Sequence, residues 1–129
     1  MKLLLDTHVF LWMLEDNRQL TKSARELLRD MNNDLFLSIV SPWEMAIKIR
    51  AEKFEPPQEP LDQFIHRQLQ LTATNLLDID LSHIEIISKL PLHHRDPFDR
   101  MLIAQSMTEG IPIISADTAF DDYGVVRLW

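Results

Sequence analysis

A chain of 129 residues, 46% hydrophobic and 26% charged, is long enough to bury a core and has the composition of a soluble globular protein. It contains no cysteine, which excludes a disulfide framework, a thiolate metal site and a cysteine nucleophile. The net charge of -7 argues against a protein whose whole surface binds nucleic acid. It does not exclude a nuclease, because carboxylates at a metal site count as negative until the metal is bound.

The N-terminus enters an apolar run directly, without the charged segment and cleavage site of a secretory signal. No apolar run approaches the length needed to span a membrane. We therefore expect one domain over residues 1–129, located in the cytoplasm and not associated with a membrane.

The first half of the chain alternates short apolar runs with helical patterns. Residues 2–5 predict a first strand, and residues 9–14 predict a short helix. Thr21 is a suitable N-cap for a second helix, and residues 35–40 predict a second strand. Ser41-Pro-Trp-Glu44 then matches a capping box, with Ser at the N-cap and Glu at the third helical position.

The second half continues the alternation. Apolar residues recur with helical period from Leu61 to Leu69, and Ser82-His-Ile-Glu85 offers another capping box. Asp96-Pro97 predicts the start of a helix that ends at Gly110. Three further strands are predicted, at residues 76–79, 111–115 and 125–129. This alternation is typical of an α/β layer sandwich with a parallel sheet of about five strands.

Four acidic residues follow predicted strands or open the helices after them: Asp6, Glu44, Asp99 and Asp117. If the strands are parallel, these side chains gather at one edge of the sheet, where open α/β folds bind ligands. Carboxylates packed together require a counter-charge, so the cluster implies a bound cation. The pattern therefore indicates a metal-dependent enzyme that acts on phosphates.

Each of these acids also has a purely structural explanation. Asp6 is placed to cap the first helix, although Ser or Asn would cap equally well without the charge. Glu44 stands where a capping box places Glu. Asp96 is the better helix cap and Asp99 the better ligand, because Asp99 lies in the first helical turn. For Asp117, capping and ligation are both open.

Other polar residues near these acids are assigned supporting positions. Asp121 and Asp122 are expected to face solvent, and the alternative is that they assist the four acids. His93 and His94 are adjacent in an extended segment, so they point to opposite sides and are treated as loop residues or as residues that contact the ligands. Arg100 has two interpretations, an ion pair with Asp96 or a contact with substrate.

Basic residues are concentrated in two places. Arg18, Lys22, Arg25 and Arg29 are spaced as if on one helical face. Lys48, Arg50 and Lys53 cluster at the end of another helix. An ordinary solvated face is the favoured interpretation, and a stripe that follows a phosphate backbone is the alternative.

Four segments resemble the PIN-domain proteins, and specifically the VapC toxins of bacterial toxin–antitoxin pairs. They are Leu3-Leu-Leu-Asp-Thr-His8, Ser41-Pro-Trp-Glu-Met-Ala-Ile-Lys48, His94-Arg-Asp-Pro-Phe-Asp-Arg-Met-Leu-Ile-Ala-Gln105 and Ile114-Ser-Ala-Asp117. Together they span nearly the whole chain in the family's order. The resemblance implies a PIN-like three-layer α/β/α sandwich with strand order 3-2-1-4-5, and it places the family's acidic quartet on Asp6, Glu44, Asp99 and Asp117.

The resemblance further implies an endoribonuclease that depends on Mg²⁺ or Mn²⁺ and is silenced by a cognate antitoxin. Asp6, Asp99 and Asp117 would hold the metal, and Glu44 would orient or deprotonate water or help ligate a second ion. Arg95 and Arg100 are the candidate RNA contacts. VapC-like proteins also form homodimers, and Trp12, Trp43 and Phe54 are candidates for such interaction surfaces, with burial in the core as the alternative.

Two other classes of protein compete with this interpretation. A receiver domain shares the length and an acidic Mg²⁺ pocket, but Asp6 is followed by Thr7 and no Lys follows Lys89. A non-catalytic interaction module, with the acids acting only as caps, predicts that Asp6→Asn leaves activity unchanged. A Gly-rich phosphate loop is excluded because Gly110 and Gly124 are the only glycines. The residues do not specify which RNA is the substrate.

Overall fold

The computed structural model describes residues 1–129 and has a five-stranded, fully parallel sheet at its centre. The strands are β1 (Lys2–Leu5), β2 (Asp34–Ser38), β3 (Thr74–Leu77), β4 (Ile113–Ile114) and β5 (Arg127–Leu128). Their order across the sheet is β3-β2-β1-β4-β5, with every neighbouring pair parallel. The expected strand order is therefore confirmed. It also excludes the receiver alternative, since that fold has the order 2-1-3-4-5.

Helices connect the strands and cover both faces of the sheet. They are α1 (Thr7–Glu15), α2 (Lys22–Arg29), α3 (Val40–Arg50), α4 (Leu61–Leu71), α5 (Leu81–Lys89), α6 (Pro97–Glu109) and a 3₁₀ helix at Thr118–Tyr123. None of them is both long enough and apolar enough to cross a membrane.

Successive side chains of β1 contribute to the hydrophobic core on opposite faces of the sheet. Leu3 and Leu5 are fully buried in a cluster with residues of α1, α2 and α4, whereas Leu4 packs with residues of α6 and the 3₁₀ helix. Because successive side chains of a strand point to opposite faces, this short apolar strand is buried on both sides. The three-layer α/β/α arrangement is thereby confirmed.

The helix caps agree with the sequence at some positions and differ at others. Thr21 caps α2 by accepting from the Ala24 N–H at 3.0 Å, as predicted. Asp96 caps α6 and Pro97 is its first residue, while Gly110 ends α6 at a φ of 65° that favours glycine.

Both predicted Ser capping boxes are wrong. The helix α3 begins at Val40, after Ile39, so Ser41 is already inside it. The helix α5 begins one residue before Ser82, and Asp80 is its cap. There His83 completes the box, because its Nδ1 accepts from the Asp80 N–H at 3.1 Å.

Candidate metal centre

The four predicted acids lie together in one cleft at the carboxyl edge of the sheet. Asp6 follows β1, Glu44 lies on α3, Asp99 lies in the first turn of α6, and Asp117 follows β4. The cleft has a volume of about 500 Å³. Its lining residues are Asp6, His8, Val9, Trp12, Glu44, Lys48, His94, Asp96, Asp99, Ala116 and Asp117. The sheet edge thus brings together residues up to 111 positions apart (117 minus 6).

Asp6 is buried and does not act as a helix cap. It occupies the position before α1, but its side chain makes no capping hydrogen bond. Instead its Oδ2 accepts a 2.6 Å hydrogen bond from the Ser115 hydroxyl, and the residue is 7% exposed. Burial raises the pKa of Asp6, and the Ser115 hydrogen bond opposes that rise only in part. The capping alternative for Asp6 therefore fails.

Asp99 carries the clearest electrostatic sign of a crowded site. Its pKa is raised to about 8, first by burial and then by the negative charges of Asp6, Asp96, Glu44 and Asp117. Carboxylates held this close cannot all be ionised at neutral pH without a counter-charge. A hard divalent cation with oxygen ligands is the counter-charge that this set of donors suits.

Asp96 is the cap of α6, and it orients the turn that carries Asp99. Its Oδ1 accepts from the Phe98 N–H at 2.8 Å and from the Asp99 N–H at 3.3 Å. These hydrogen bonds agree with the prediction that Asp96 is the helix cap. Asp96 also lines the cleft, so its charge acts on Asp99.

Replacing the cap separates these two effects of Asp96. We expect Asp96→Ala to lower the free energy of unfolding by about 1 kcal/mol, because two backbone N–H groups lose their acceptor. Asp96→Ser should retain the cap and stay within a few tenths of a kcal/mol of the unaltered protein. Urea unfolding of the three proteins measures the difference. Equal losses in both variants would show that the charge, and not the cap, provides the stability.

Glu44 is buried and held at both carboxylate oxygens. It is 4% exposed, its Oε1 accepts from the Thr7 hydroxyl at 2.9 Å, and its Oε2 accepts from Lys48 Nζ at 2.6 Å. The Ser41 hydroxyl lies 2.7 Å from that of Thr7 and completes the chain of contacts. Glu44 therefore has a fixed position one turn inside α3, and the capping explanation for it fails.

Asp117 is the most exposed of the four acids, with 46% of its side chain accessible. It caps the 3₁₀ helix by accepting from the Ala119 N–H at 2.9 Å, and its own N–H donates to Ser115 Oγ at 3.0 Å. Ser115 thus contacts Asp6 and Asp117 at once. Ser115 lies in an apolar run that predicts a strand, and nothing in that run indicates that its hydroxyl contacts two acids.

His94 is the residue of the cleft whose importance was underestimated from the sequence. Its Nδ1 accepts from the Asp96 N–H at 3.2 Å, so a neutral ring carries its proton on Nε2. That Nε2 lies 2.9 Å from Asp99 Oδ2 and 3.9 Å from Asp117 Oδ2, without a directed hydrogen bond to either. One atom from each of His94, Asp99 and Asp117 lies within 4.8 Å of the others. The two carboxylates are close enough to share a metal ion, whereas the protonated His94 Nε2 faces them as a hydrogen-bond donor and not as a ligand.

The neighbouring His93 points elsewhere, as expected for adjacent residues. Its ring packs against Tyr123 with the ring centroids 5.3 Å apart. Asp121 forms an exposed ion pair with Arg127, at 2.9 and 3.1 Å, and Asp122 is exposed. These acids therefore lie outside the set that lines the cleft.

Arg100 is buried and serves the loop before α6. Its guanidinium donates to the Leu90 and Pro91 carbonyl oxygens at 3.1 and 2.8 Å, and to Tyr123 Oη at 3.2 Å. It forms no ion pair with Asp96, so that expectation is wrong, and its burial leaves it badly placed to touch RNA. Arg95, in contrast, is exposed and lies in the chain between His94 and Asp96, which both line the cleft.

The predicted basic stripe is not one helical face. Arg18 lies before α2, which begins at Lys22. Arg25 and Arg29 both pair with Asp16. The geometry supports the interpretation of this surface as an ordinary solvated one, on which these arginines pair with an acid.

Comparison with known proteins places the fold and the site in a family. The PIN domain family model matches residues 3–126. The chain belongs to the PIN-domain family, and the resemblance seen in its sequence is confirmed at that level. Ribonuclease VapC16 of Mycobacterium tuberculosis (strain ATCC 25618 / H37Rv) is 34% identical to it over 60 residues. That match covers 46% of this chain and 42% of the relative, so the chain spans less than half of the relative's length.

Two solved structures share the fold at low identity. VapBC2 from Rickettsia felis, bound to a DNA fragment from its promoter, aligns with a TM-score of 0.65 at 11% identity, over 98% of this chain and 97% of that one. VapBC-1 from nontypeable Haemophilus influenzae aligns with a TM-score of 0.64 at 14% identity, over 98% and 96% of the two chains. At such identities the likeness shows the architecture alone.

Proposed function

We propose that this chain is a metal-dependent endoribonuclease of the VapC toxin type, acting as a single PIN domain over residues 1–129. The observation that carries the proposal is the convergence of four carboxylates in one cleft, where burial and then the neighbouring negative charges raise the pKa of Asp99 to about 8. The one lysine in the cleft is already engaged by Glu44, so the remaining acids lack a cation. The partial likeness to a ribonuclease of the same family adds support.

The donor set fits Mg²⁺ or Mn²⁺, which prefer oxygen ligands and keep several waters. Asp6, Asp99 and Asp117 would hold the ion, directly or through water, with His94 beside them. When bound, the ion supplies a Lewis acid for the scissile phosphate and lowers the pKa of its water. Glu44, fixed by Thr7 and Lys48, would orient or deprotonate the attacking water. Arg95 would hold the flanking RNA backbone.

Cleavage of total cellular RNA by the purified protein, free of any antitoxin, tests the proposal. Discrete fragments should form with Mg²⁺ or Mn²⁺ and should disappear with EDTA. Mapping the fragment ends would identify the RNA that is cut. Absence of cleavage with either metal, from a folded preparation, would favour the non-catalytic interaction module.

The partners proposed for this chain are a cognate antitoxin protein and a second copy of itself. The two solved complexes of similar fold are named as VapBC pairs, which supports an antitoxin. An antitoxin added in equal amount should stop the cleavage. A nuclease that acts on cellular RNA and is held by such a partner would work in the cytoplasm.

An exposed apolar strip supports the homodimer. Ile39, Trp43 and Ile47 are spaced by four and are 36%, 54% and 44% exposed, and the Trp43 ring meets Phe98 at 5.0 Å between centroids. Such strips on otherwise charged surfaces mark protein contacts. We expect Trp43→Glu to be monomeric by light scattering at concentrations where the unaltered protein is dimeric. Identical masses for the two proteins would place any dimer contact elsewhere.

A further inference from the structure

A second concavity opens beside the acidic cleft, between α1 and the carboxyl end of α3. It has a volume of about 280 Å³ and is called here the side groove. Its lining residues are Thr7, His8, Leu11, Met45, Lys48, Lys53 and Phe54. His8 and Lys48 line both the side groove and the acidic cleft, so the two spaces adjoin each other.

The side groove combines aromatic and cationic side chains. Phe54, which is half-buried, and His8 are its aromatic lining residues, and Leu11 and Met45 are its apolar ones. Lys53 is exposed and makes no ion pair, although the exposed acids Glu52 and Glu55 flank Phe54 and Lys53 in the chain. Neither of those acids lines the groove.

The turn after α3 fixes the position of this lining. The Lys53 N–H donates to the Lys48 carbonyl oxygen at 2.8 Å, and Glu52 takes a left-handed conformation with φ of 58°. These bonds close the helix end and set Lys53 and Phe54 against α1. The groove is therefore built by the fold and does not depend on a free loop.

The side of the cleft formed by Asp117 and the 3₁₀ helix offers no free cation. There Arg127 is bound by Asp121, and Asp122 adds a further exposed negative charge. A polyanion that crosses the cleft is repelled on that side and attracted toward Lys53. Cations beside an aromatic face are the combination that single-stranded nucleic acid recognises, through its phosphates and its bases.

We propose that the side groove binds the nucleotide next to the scissile phosphate of a single-stranded RNA segment. Lys53 contacts its phosphate, and its base packs against Phe54. This inference rests on the proposed function, because it assumes that the acidic cleft cuts RNA. It also gives the path of the bound RNA, which runs from the cleft over α1 and the carboxyl end of α3.

Binding without cleavage tests the inference first. Asp6→Asn protein is titrated with a short fluorescein-labelled RNA that spans a mapped cleavage site, and anisotropy is read. Adding Lys53→Ala or Phe54→Leu should weaken binding by about tenfold each, since one stacked base or one phosphate contact is lost. Phe54→Leu retains an apolar side chain of similar size, so the fold is preserved. Arg50→Ala, which removes an exposed cation outside the groove, is the control and should change binding less than about twofold.

Kinetics with the otherwise unaltered protein give the second measurement. Lys53→Ala and Phe54→Leu should raise KM with little change in kcat, because the lost contact binds substrate and transition state alike. Removing the RNA nucleotides on the side of the cut that enters the side groove should abolish the difference in KM between these variants and the unaltered protein.

The possible failures are distinguishable. If the unaltered protein neither binds nor cuts RNA, the proposed function fails and the inference fails with it. If it cuts RNA and both groove variants behave like Arg50→Ala, the inference alone is overturned. If the groove variants lose only antitoxin binding, the groove holds a protein segment, and the inference is likewise overturned.

Discussion

Asp6→Asn is expected to lower RNA cleavage by about 100-fold or more while leaving the folded protein at least as stable in EDTA. Loss of a metal ligand should cost no less than the 10–100-fold typical of residues that merely support a ligand. Stability is retained because burial already disfavours the Asp6 carboxylate, as its raised pKa records, and an amide carries no charge to desolvate. Cleavage rates and thermal unfolding of the two proteins provide the measurement.

Asp122→Asn is the matched control for that experiment. It removes one negative charge from an exposed residue that lies near the cleft in the chain but does not line it. Its cleavage rate should stay within about twofold, as expected for a screened surface charge. If Asp6→Asn cleaved RNA as fast as Asp122→Asn, the assignment of Asp6 as a metal ligand would be contradicted.

The metal-free protein should lose stability as the pH rises from about 4 to about 8. Asp99 has a folded-state pKa of about 8 against an ordinary value of 3.8, so in this range the folded state binds more protons than the unfolded state. The free energy of unfolding therefore falls with pH, and the raised pKa of Asp6 acts in the same direction. Thermal unfolding in EDTA at several pH values measures the slope.

Mg²⁺ should reverse this loss, and more so at pH 8 than at pH 5. At a concentration 100 times its Kd, a ligand adds about 2.7 kcal/mol, which corresponds to a rise in Tm of roughly 10 °C for a chain of this size. Asp99→Asn should flatten the pH dependence in EDTA and abolish most of the Mg²⁺ effect. A Tm insensitive to Mg²⁺ at pH 8 would contradict the assignment of the cleft as a metal centre.

The gathering of the four acids was predictable because it depends on local patterns, whereas the strand order was implied only by the resemblance to PIN-domain proteins. Asp96-Pro97 starts a helix by backbone geometry alone, which places Asp99 in its first turn wherever the helix packs. The run Leu3-Leu4-Leu5 is buried on both faces and must be a central strand. Asp6 then follows at the ligand-binding edge of the sheet.

The misplaced start of α3 shows where local patterns fail. The Ile39 N–H bonds to the Leu77 carbonyl oxygen at 2.8 Å, so the chain leaves the sheet two residues before Ser41 and enters the helix at once. The Ser41 hydroxyl then turns to Thr7, which is 34 residues away in the chain. A long-range contact of this kind outweighs the preference of Ser for a cap, and the sequence contains no sign of it.

His94 was underestimated for a related reason. Its position depends on the loop before α6, whose carbonyl oxygens at Leu90, Pro91 and His94 all accept from Arg100. Arg100 itself was interpreted as a partner of Asp96 or of RNA, because a charged side chain is seldom buried. Once its burial is known, the orientation of His94 toward Asp99 follows from the shape of that loop.

The single hydroxyl of Ser115 that joins Asp6 to Asp117 has a consequence for protein synthesis. On the ribosome, Asp6 is made 109 residues before Ser115, and β4 and Asp117 are likewise made long after Asp6. A nascent or truncated chain that stops at Gly110 lacks one acid and the contact that orders another. The acidic cleft is therefore complete only after translation has passed Asp117.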